Sequence, residues 1–355
     1  MNHHSAGHKK MVKRGTIEDY REDICTDTGD AKGMKRLKQL RIMAIVTVLA
    51  VLFLIWVGST VRATGAGMGC PDWPTCFGRI VPPFSEADLP PNYRHTYARL
   101  GYDKMKFDPI KTWTEYLNRL TGTLIGLLSI LTFALSFLAR RHDARLPWLA
   151  GGALFLVVLN GWLGAVVIET NLHAAVVTTH MMLSYGVILL LVAAVSRTLP
   201  ESCGVAVDIK RRWFPALPLA TLVTLVQTGL GAQVRERVDQ IGTVSGGLHV
   251  EAHWLEKIGP VLNIHIAGAV VVLLVNLWLI TRLVGSGPLV KRALAVLVLI
   301  VLTQILLGII LMTQDLPTIF QPLHLLSASM LFTVQAFLLL IRTGSDREPR
   351  LPQIV

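Results

Sequence analysis

The sequence predicts an all-α membrane protein of eight transmembrane helices, arranged as two pseudo-symmetric four-helix bundles in parallel repeat. Three observations carry the prediction: an apolar, charge-poor composition, eight uncharged stretches of membrane-crossing length, and a set of features that recurs in order in both halves. Of 355 residues 52% are apolar and 16% charged, with mean hydropathy +0.53, which is too apolar for an ordinary soluble domain. A bilayer core of about 30 Å needs about 20 apolar residues as helix. Stretches without Asp, Glu, Lys or Arg run Ile42–Val61, Leu120–Ala139, Leu146–Ile168, Asn171–Ser196, Trp213–Val234, Ile258–Thr281, Ala293–Gln314 and Leu316–Ile341. Their lengths suit helical spans and exclude a β-barrel.

The net charge of +11 could suggest nucleic acid, but its placement argues otherwise. The connections after spans two, four and six carry Arg140, Arg141, Arg145, Arg197, Lys210, Arg211, Arg212, Arg282, Lys291 and Arg292, whereas the turns around Asn171 and Asp315 carry no cation. That positive-inside asymmetry puts both termini in the cytoplasm, leaves anionic lipid as the partner of the basic charge, and gives no nucleic-acid role. The first 40 residues include Glu18, Asp19, Glu22, Asp23, Asp27 and Asp30; a mitochondrial transit peptide is acid-poor, so a bacterial inner membrane is expected. The organisation is then a disordered tail (1–41), a first four-helix half (42–197), a cytoplasmic linker (198–212), a second half (213–342) and a short tail (343–355). His3, His4 and His8 read as solvated tail residues, and Cys25 and Cys203 as free cytoplasmic thiols. Cys70 and Cys76 sit in the first outward loop, where an oxidising compartment favours a disulfide; zinc would need two further ligands, and only His95 is near.

The repeat is read from spacing. Gly164 precedes His180 by sixteen residues, and Gly308 precedes His324 by sixteen. An amide side chain stands four residues before each glycine, Asn160 and Gln304, and Ile168-Glu-Thr-Asn-Leu172 matches Met312-Thr-Gln-Asp-Leu316. Gly58-Ser-Thr-Val-Arg62 at the end of span one matches Gly231-Ala-Gln-Val-Arg235 at the end of span five. Four matched features in order indicate duplication. An even number of spans per half makes the copies parallel.

Of eleven histidines, His173, His180, His265 and His324 fall within the uncharged stretches. His173 is at an edge, where interfacial solvation explains it. At about 1.5 Å per residue, His265 lies about 10 Å, His324 about 12 Å and His180 about 14 Å from the outward ends of their stretches. An imidazole at that depth is costly and marks a function. A helix-bridging hydrogen bond, a proton relay and metal ligation compete, and spans four, six and eight have no acid for a relay. Two neutral imidazoles on facing helices suit haem iron, with His265 and His324 as the pair. Arg62 and Arg235, at the outward ends of spans one and five, are candidates for the haem carboxylates, with snorkelling as the alternative. In the first half, the position matching His265 falls near the start of span two, where Glu115 and Asn118 share a helical face. Gly122 and Gly126 read as a close-packing pair.

The segments Gly58 to Gly78 (GSTVRATGAGMGCPDWPTCFG), Glu115 to Gly122 (EYLNRLTG), Gly161-Trp-Leu-Gly164, Gln233-Val-Arg-Glu236 and the two late histidines together resemble the haem A synthases, in order from about residue 42 to 341. The resemblance implies an oxidoreductase that converts a ring methyl of haem O to the formyl of haem A by successive hydroxylation. It implies haem b between His265 and His324, a substrate side with His180, Glu115 as acid or base beside the methyl, and paired Cys70 and Cys76. The family's Glu-x-x-His-Arg motif falls on Glu115 to Arg119, but Asn118 replaces its histidine, which implies iron held by His180 with one face open, a ligand from elsewhere, or substrate haem bound transiently and weakly. Candidate partners are a haem O synthase, an electron donor and a second copy of the chain. The alternative reading is a bis-His cytochrome b acting in electron transfer alone. It needs haems spanning the membrane, whereas all three deep histidines lie toward the outward side.

Overall fold

The computed structural model describes residues 31–199, 216–244 and 254–341. His3, His4, His8, Cys25, Cys203, Lys210, Arg211, Arg212, the Trp213 start of span five and the tail 343–355 lie outside the described residues. Within them stand eight helices long and apolar enough to cross a membrane: α1 (Ala31–Ala63), α2 (Pro109–Ala139), α3 (Leu146–Glu169), α4 (Ala174–Arg197), α5 (Ala216–Val244), α6 (Pro260–Leu283), α7 (Pro288–Thr313) and α8 (Phe320–Leu340). Among the described residues the one β feature is an isolated bridge between Cys76 and Arg79.

Each predicted span is a helix, and the boundaries move for local reasons. α1 begins at Ala31, so the Lys- and Arg-rich stretch up to Arg41, assigned above to a disordered tail, is helical; Lys, Arg, Leu and Met are good helix formers. α2 starts eleven residues before the apolar stretch, where Asp108 caps it by accepting from the backbone N–H of Ile110 (2.9 Å) and Lys111 (3.2 Å) and Pro109 opens the first turn. α8 starts at Phe320 rather than Leu316. The cause is the preceding turn: Asp315 and Leu316 both take positive φ (53° and 55°), as Asn171 and Leu172 do between α3 and α4 (52° and 61°). In each turn the leucine N–H reaches back five residues, Leu172 to Val167 (2.8 Å) and Leu316 to Leu311 (3.2 Å), closing the helix as a Schellman turn does. Left-handed leucines are strained, and this chain uses one at the corresponding place in both halves.

Consecutive helices pack together within α1 to α4 and within α5 to α8, with α1 also on α4 and α5 on α8. Between these sets α8 lies against α1 and α4, and α4 touches α5. So α1, α4, α5 and α8 meet centrally and the other four stand outside. Apolar side chains face outward, including Leu49, Phe155, Leu274 and Leu299, as a lipid-facing surface requires. Since lipid competes with apolar packing, helices are joined by close contact and hydrogen bonds worth about 0.6 kcal/mol each. Thr47 and Thr132 join α1 to α2 (3.0 Å), Tyr185 and Ser329 join α4 to α8 (2.9 Å), and Gln335 donates to Asn276 across α8 and α6 (2.9 Å).

The segment between α1 and α2, in which Pro82, Pro83, Pro90 and Pro91 suit an irregular cap, has a core of its own. The buried Phe77 ring is met edge-on by Tyr93, Tyr97, Tyr102 and Phe107 at centroid distances of 5.6–5.9 Å, an arrangement that the ring quadrupole favours. Asp72 ties the loop by accepting from the backbone N–H of Phe77 (2.6 Å) and Gly78 (2.8 Å) and from the Thr75 hydroxyl. Burial pushes the Tyr102 phenol up, so it stays protonated and donates to the Met68 carbonyl. Replacing Phe77 with Ala should empty this cluster at a cost of about 3–5 kcal/mol. The expected readout is early proteolysis between residues 80 and 108 with the long helices still protected; unchanged resistance would mean that the ring is not the core of the cap.

Candidate functional site

The geometry around the deep histidines begins with glycine. A Cβ on Gly231 of α5 would come within 3.1 Å of His265 Cε1 on α6, and one on Gly308 of α7 within 3.5 Å of His324 Cε1 on α8. Gly231 thus leaves its imidazole room that a side chain would crowd, while at Gly308 the added carbon would make an ordinary contact. The two rings meet, with centroids 6.5 Å apart and planes inclined at 63°. Gln227, one turn before Gly231, donates to His265 Nδ1 (3.0 Å) and to the His265 backbone carbonyl (2.7 Å). Gln304, one turn before Gly308, lies 3.1 Å from His324 Nε2 through its amide nitrogen. His324 Nδ1 is buried with no partner.

The first half repeats the glycines but not the ring pair. Gly58 of α1 faces Asn118 of α2, its Cβ position 3.6 Å from Oδ1, and Gly164 of α3 faces His180 of α4, 3.7 Å from Cε1. Asn118 Oδ1 and His180 Nδ1 are both buried without a partner. Asn160 turns to Ser184 (2.9 Å) rather than to the imidazole. Glu115 is buried (5% exposed) and forms an ion pair with Arg119 (3.0 Å). The rest of that guanidinium donates to the carbonyls of Asp72 (2.6 Å), Thr75 (2.9 Å) and Cys70 (3.1 Å). Cys70 and Cys76 are disulfide-bonded. Arg119 therefore fastens the disulfide loop onto α2 and fixes Glu115 beneath it, a more enclosed setting than the solvated edge a carboxylate usually takes.

Arg62 and Arg235 come together. Asp239, one turn beyond Arg235, is bonded by both, at 2.9 Å from Arg62 Nη2 and 2.6 Å from Arg235 Nη2. Arg235 also donates to the Gln321 side chain and to the Arg62 carbonyl (3.3 Å). Two guanidinium groups against one carboxylate leave a net positive charge where α1, α5 and α8 meet. His173 caps the start of α4 at the edge, exposed as expected.

Asp239, Gln227, Gln304 and Arg119 are absent from the sequence-based site. Gln304 had a signal in its matched position with Asn160. Arg119 stood inside a quoted motif. Gln227 has Leu54 at the matching position, and Asp239 lies beyond the apolar stretch, so nothing in the spacing singled them out.

Comparison with known proteins agrees with this architecture. A family model described as cytochrome oxidase assembly protein, COX15-CtaA, matches residues 41–336. The chain is 29% identical over 175 residues to a protein of Shewanella oneidensis named Heme A synthase, covering 49% of this chain and 50% of that one. It is 24% identical over 325 residues to a Heme A synthase of Shouchella clausii, covering 88% of this chain and 98% of the relative. A Protoheme IX farnesyltransferase of Thermus thermophilus is 27% identical over 302 residues, or 79% of this chain and 45% of that protein. The match thus spans half the length of the first relative and nearly all of the second.

Removing the charge of Asp239 should set two guanidinium groups against each other. Asp239→Asn is expected to destabilise the solubilised protein by about 1–3 kcal/mol, seen as a lower Tm that rises again with salt. Adding Arg62→Ala should recover part of the loss.

Proposed function

The chain belongs to the COX15-CtaA family of cytochrome oxidase assembly proteins, and from that membership we propose that it is a haem A synthase, an oxidoreductase converting a ring methyl of haem O to the formyl of haem A by successive hydroxylation. The observation that carries the reading is the His265–His324 pair, held 6.5 Å apart in a chain that aligns along 88% of its length with a relative named Heme A synthase.

Haem b is the resident cofactor in this reading, and the residues fit it. His265 and His324 would hold its iron from facing helices, their ring centroids 6.5 Å apart. His324 Nδ1 is buried without a partner, the nitrogen left for a ligand once the ring proton moves to Nε2. Haem b would supply one-electron chemistry there. Arg62 and Arg235 would take the carboxylates of a macrocycle, their net positive charge exceeding what Asp239 neutralises. On the first-half side His180 would hold the iron of haem O, and Asn118, too weak a donor to ligate it, leaves the opposite face open for oxidation. Glu115, fixed by Arg119, is the acid or base that moves a proton at the methyl under attack.

The repeated Gly58/Asn118 and Gly231/His265 contacts, the Gly164/His180 and Gly308/His324 contacts and the matched left-handed turns support two pseudo-symmetric four-helix bundles in parallel. Residues 42–197 then form the substrate half and 213–342 the haem b half. The disulfide at the end opposite the basic loops supports a bacterial inner membrane with both termini cytoplasmic. A haem O synthase is the natural supplier of substrate. An electron donor and self-association complete the set of proposed partners. A cytochrome b acting only in electron transfer is disfavoured, since His180, His265 and His324 all lie toward the disulfide end.

Co-expression of the chain with a haem O synthase, followed by mass analysis of extracted haems, should yield hydroxylated and formyl products; haem O alone under aerobic conditions would sink the reading. His265→Ala or His324→Ala should each abolish the low-spin haem spectrum, and a spectrum kept by both would refute the axial pair.

A further inference from the structure

Gln227 and Gln304 do nothing in the reaction as proposed, yet each is spent on a histidine ring. We propose that these carboxamides are positioning residues holding His265 and His324 as a fixed axial pair. Their replacement by Leu54 and Asn160 in the first half then leaves His180 a loosely held ligand from which product haem can depart. The inference rests on the haem reading above and extends it to what separates a retained cofactor from a released product.

A metal-binding imidazole keeps its orientation only when its second nitrogen has a partner. Gln227 grips His265 twice, at Nδ1 (3.0 Å) and at the backbone carbonyl (2.7 Å), which leaves Nε2 as the free nitrogen. Gln304 holds His324 at Nε2 (3.1 Å) and leaves Nδ1 free, buried and unpartnered. An amide N–H only donates, so in this state each gripped ring nitrogen accepts. The Oε1 atoms of both glutamines are buried with no partner, so each amide also keeps an unused acceptor. A neutral imidazole that ligates through one nitrogen carries its proton on the other, and Oε1 is what would receive it. A carboxamide serves both tautomers without burying a charge; a carboxylate would serve one and bury a charge. In the first half Leu54 stands four residues before Gly58, where it offers no hydrogen bond. Asn160, one methylene shorter than Gln304, turns its side chain to Ser184 (2.9 Å), so the His180 ring meets the Asn160 backbone but no side-chain amide, and its Nδ1 is bare.

The test uses the full-length protein purified with its haem, comparing Gln227→Met and Gln304→Met, which keep volume and remove the amide, with Gln227→Glu and Asn160→Gln. Transfer of haem to apomyoglobin should be about ten-fold faster or more in the Met variants, with a loss of low-spin character. If a Met variant does not fold, Gln227→Glu decides: it should lower the haem reduction potential, because a carboxylate on the ring stabilises ferric iron. Asn160→Gln should slow loss of the first-half haem. Unchanged transfer and potential in the glutamine variants, while His265→Ala and His324→Ala abolish the low-spin spectrum, would overturn the positioning role alone. A low-spin spectrum surviving both histidine variants would overturn the reading beneath it. Unchanged first-half retention in Asn160→Gln would overturn the account of release.

Discussion

Hydrocarbon offers no hydrogen bond, so every polar side chain at bilayer depth must be matched inside the protein or carry a cost of about 1–3 kcal/mol. That constraint sorts the polar groups of this chain into two kinds. Thr47 with Thr132, Tyr185 with Ser329 and Asn276 with Gln335 bond in pairs across helices and serve to join them, although Gln335 keeps a bare Oε1. Around the deep histidines the matching is incomplete: His180 Nδ1, His324 Nδ1, Asn118 Oδ1 and both glutamine Oε1 atoms are buried and bare. Unmatched groups gathered on the surfaces that four glycines bring together are the signature of a site built for something else to complete.

Charge obeys the same constraint by staying at the ends. The buried carboxylate of Glu115 is tolerated because Arg119 is beside it, and Arg119 is tolerated because three loop carbonyls and that carboxylate consume its donors. Removing either partner would strand the other, which is why such pairs are costly to break even when they add little net stability. The cluster of Arg62, Asp239 and Arg235 is built differently. It is partly exposed and has one cation in excess, so it keeps a capacity for a further anion that the Glu115 pair lacks.

Much of this was legible in the sequence. Eight uncharged stretches became eight helices, because span length and the absence of charge are direct consequences of bilayer thickness. The histidines, the two arginines and Glu115 stood out as residues in costly places, and the sixteen-residue spacing from Gly164 to His180 and from Gly308 to His324 returned as two glycine–imidazole contacts. Helix ends were less legible, since Ala31 to Arg41 and Pro109 to Arg119 extend helices past the apolar stretch, where propensity and capping decide rather than hydropathy. The core of the cap was missed because Phe77 and the four later aromatics that build it have no helical period. Gln227 and Asp239 were missed for a related reason: their importance lies in contacts with His265 and Arg62 on other helices, and no local pattern encodes a contact across 38 or 177 residues.

The two halves of the chain agree at some matched positions and differ at others. Glycine stands at 58, 164, 231 and 308 beside Asn118, His180, His265 and His324; at 231 an added carbon would come within 3.1 Å of the ring, while at the other three it would lie in ordinary contact at 3.5–3.7 Å. The groups around them differ: His265 against Asn118, Gln227 against Leu54, Gln304 against Asn160. A scaffold constrained by packing can therefore carry two ligand sets of different strength. The half with two imidazoles, each gripped by an amide, is suited to keeping what it binds. The half whose one imidazole meets no side-chain amide is the one suited to letting go, as the proposed release of product haem requires.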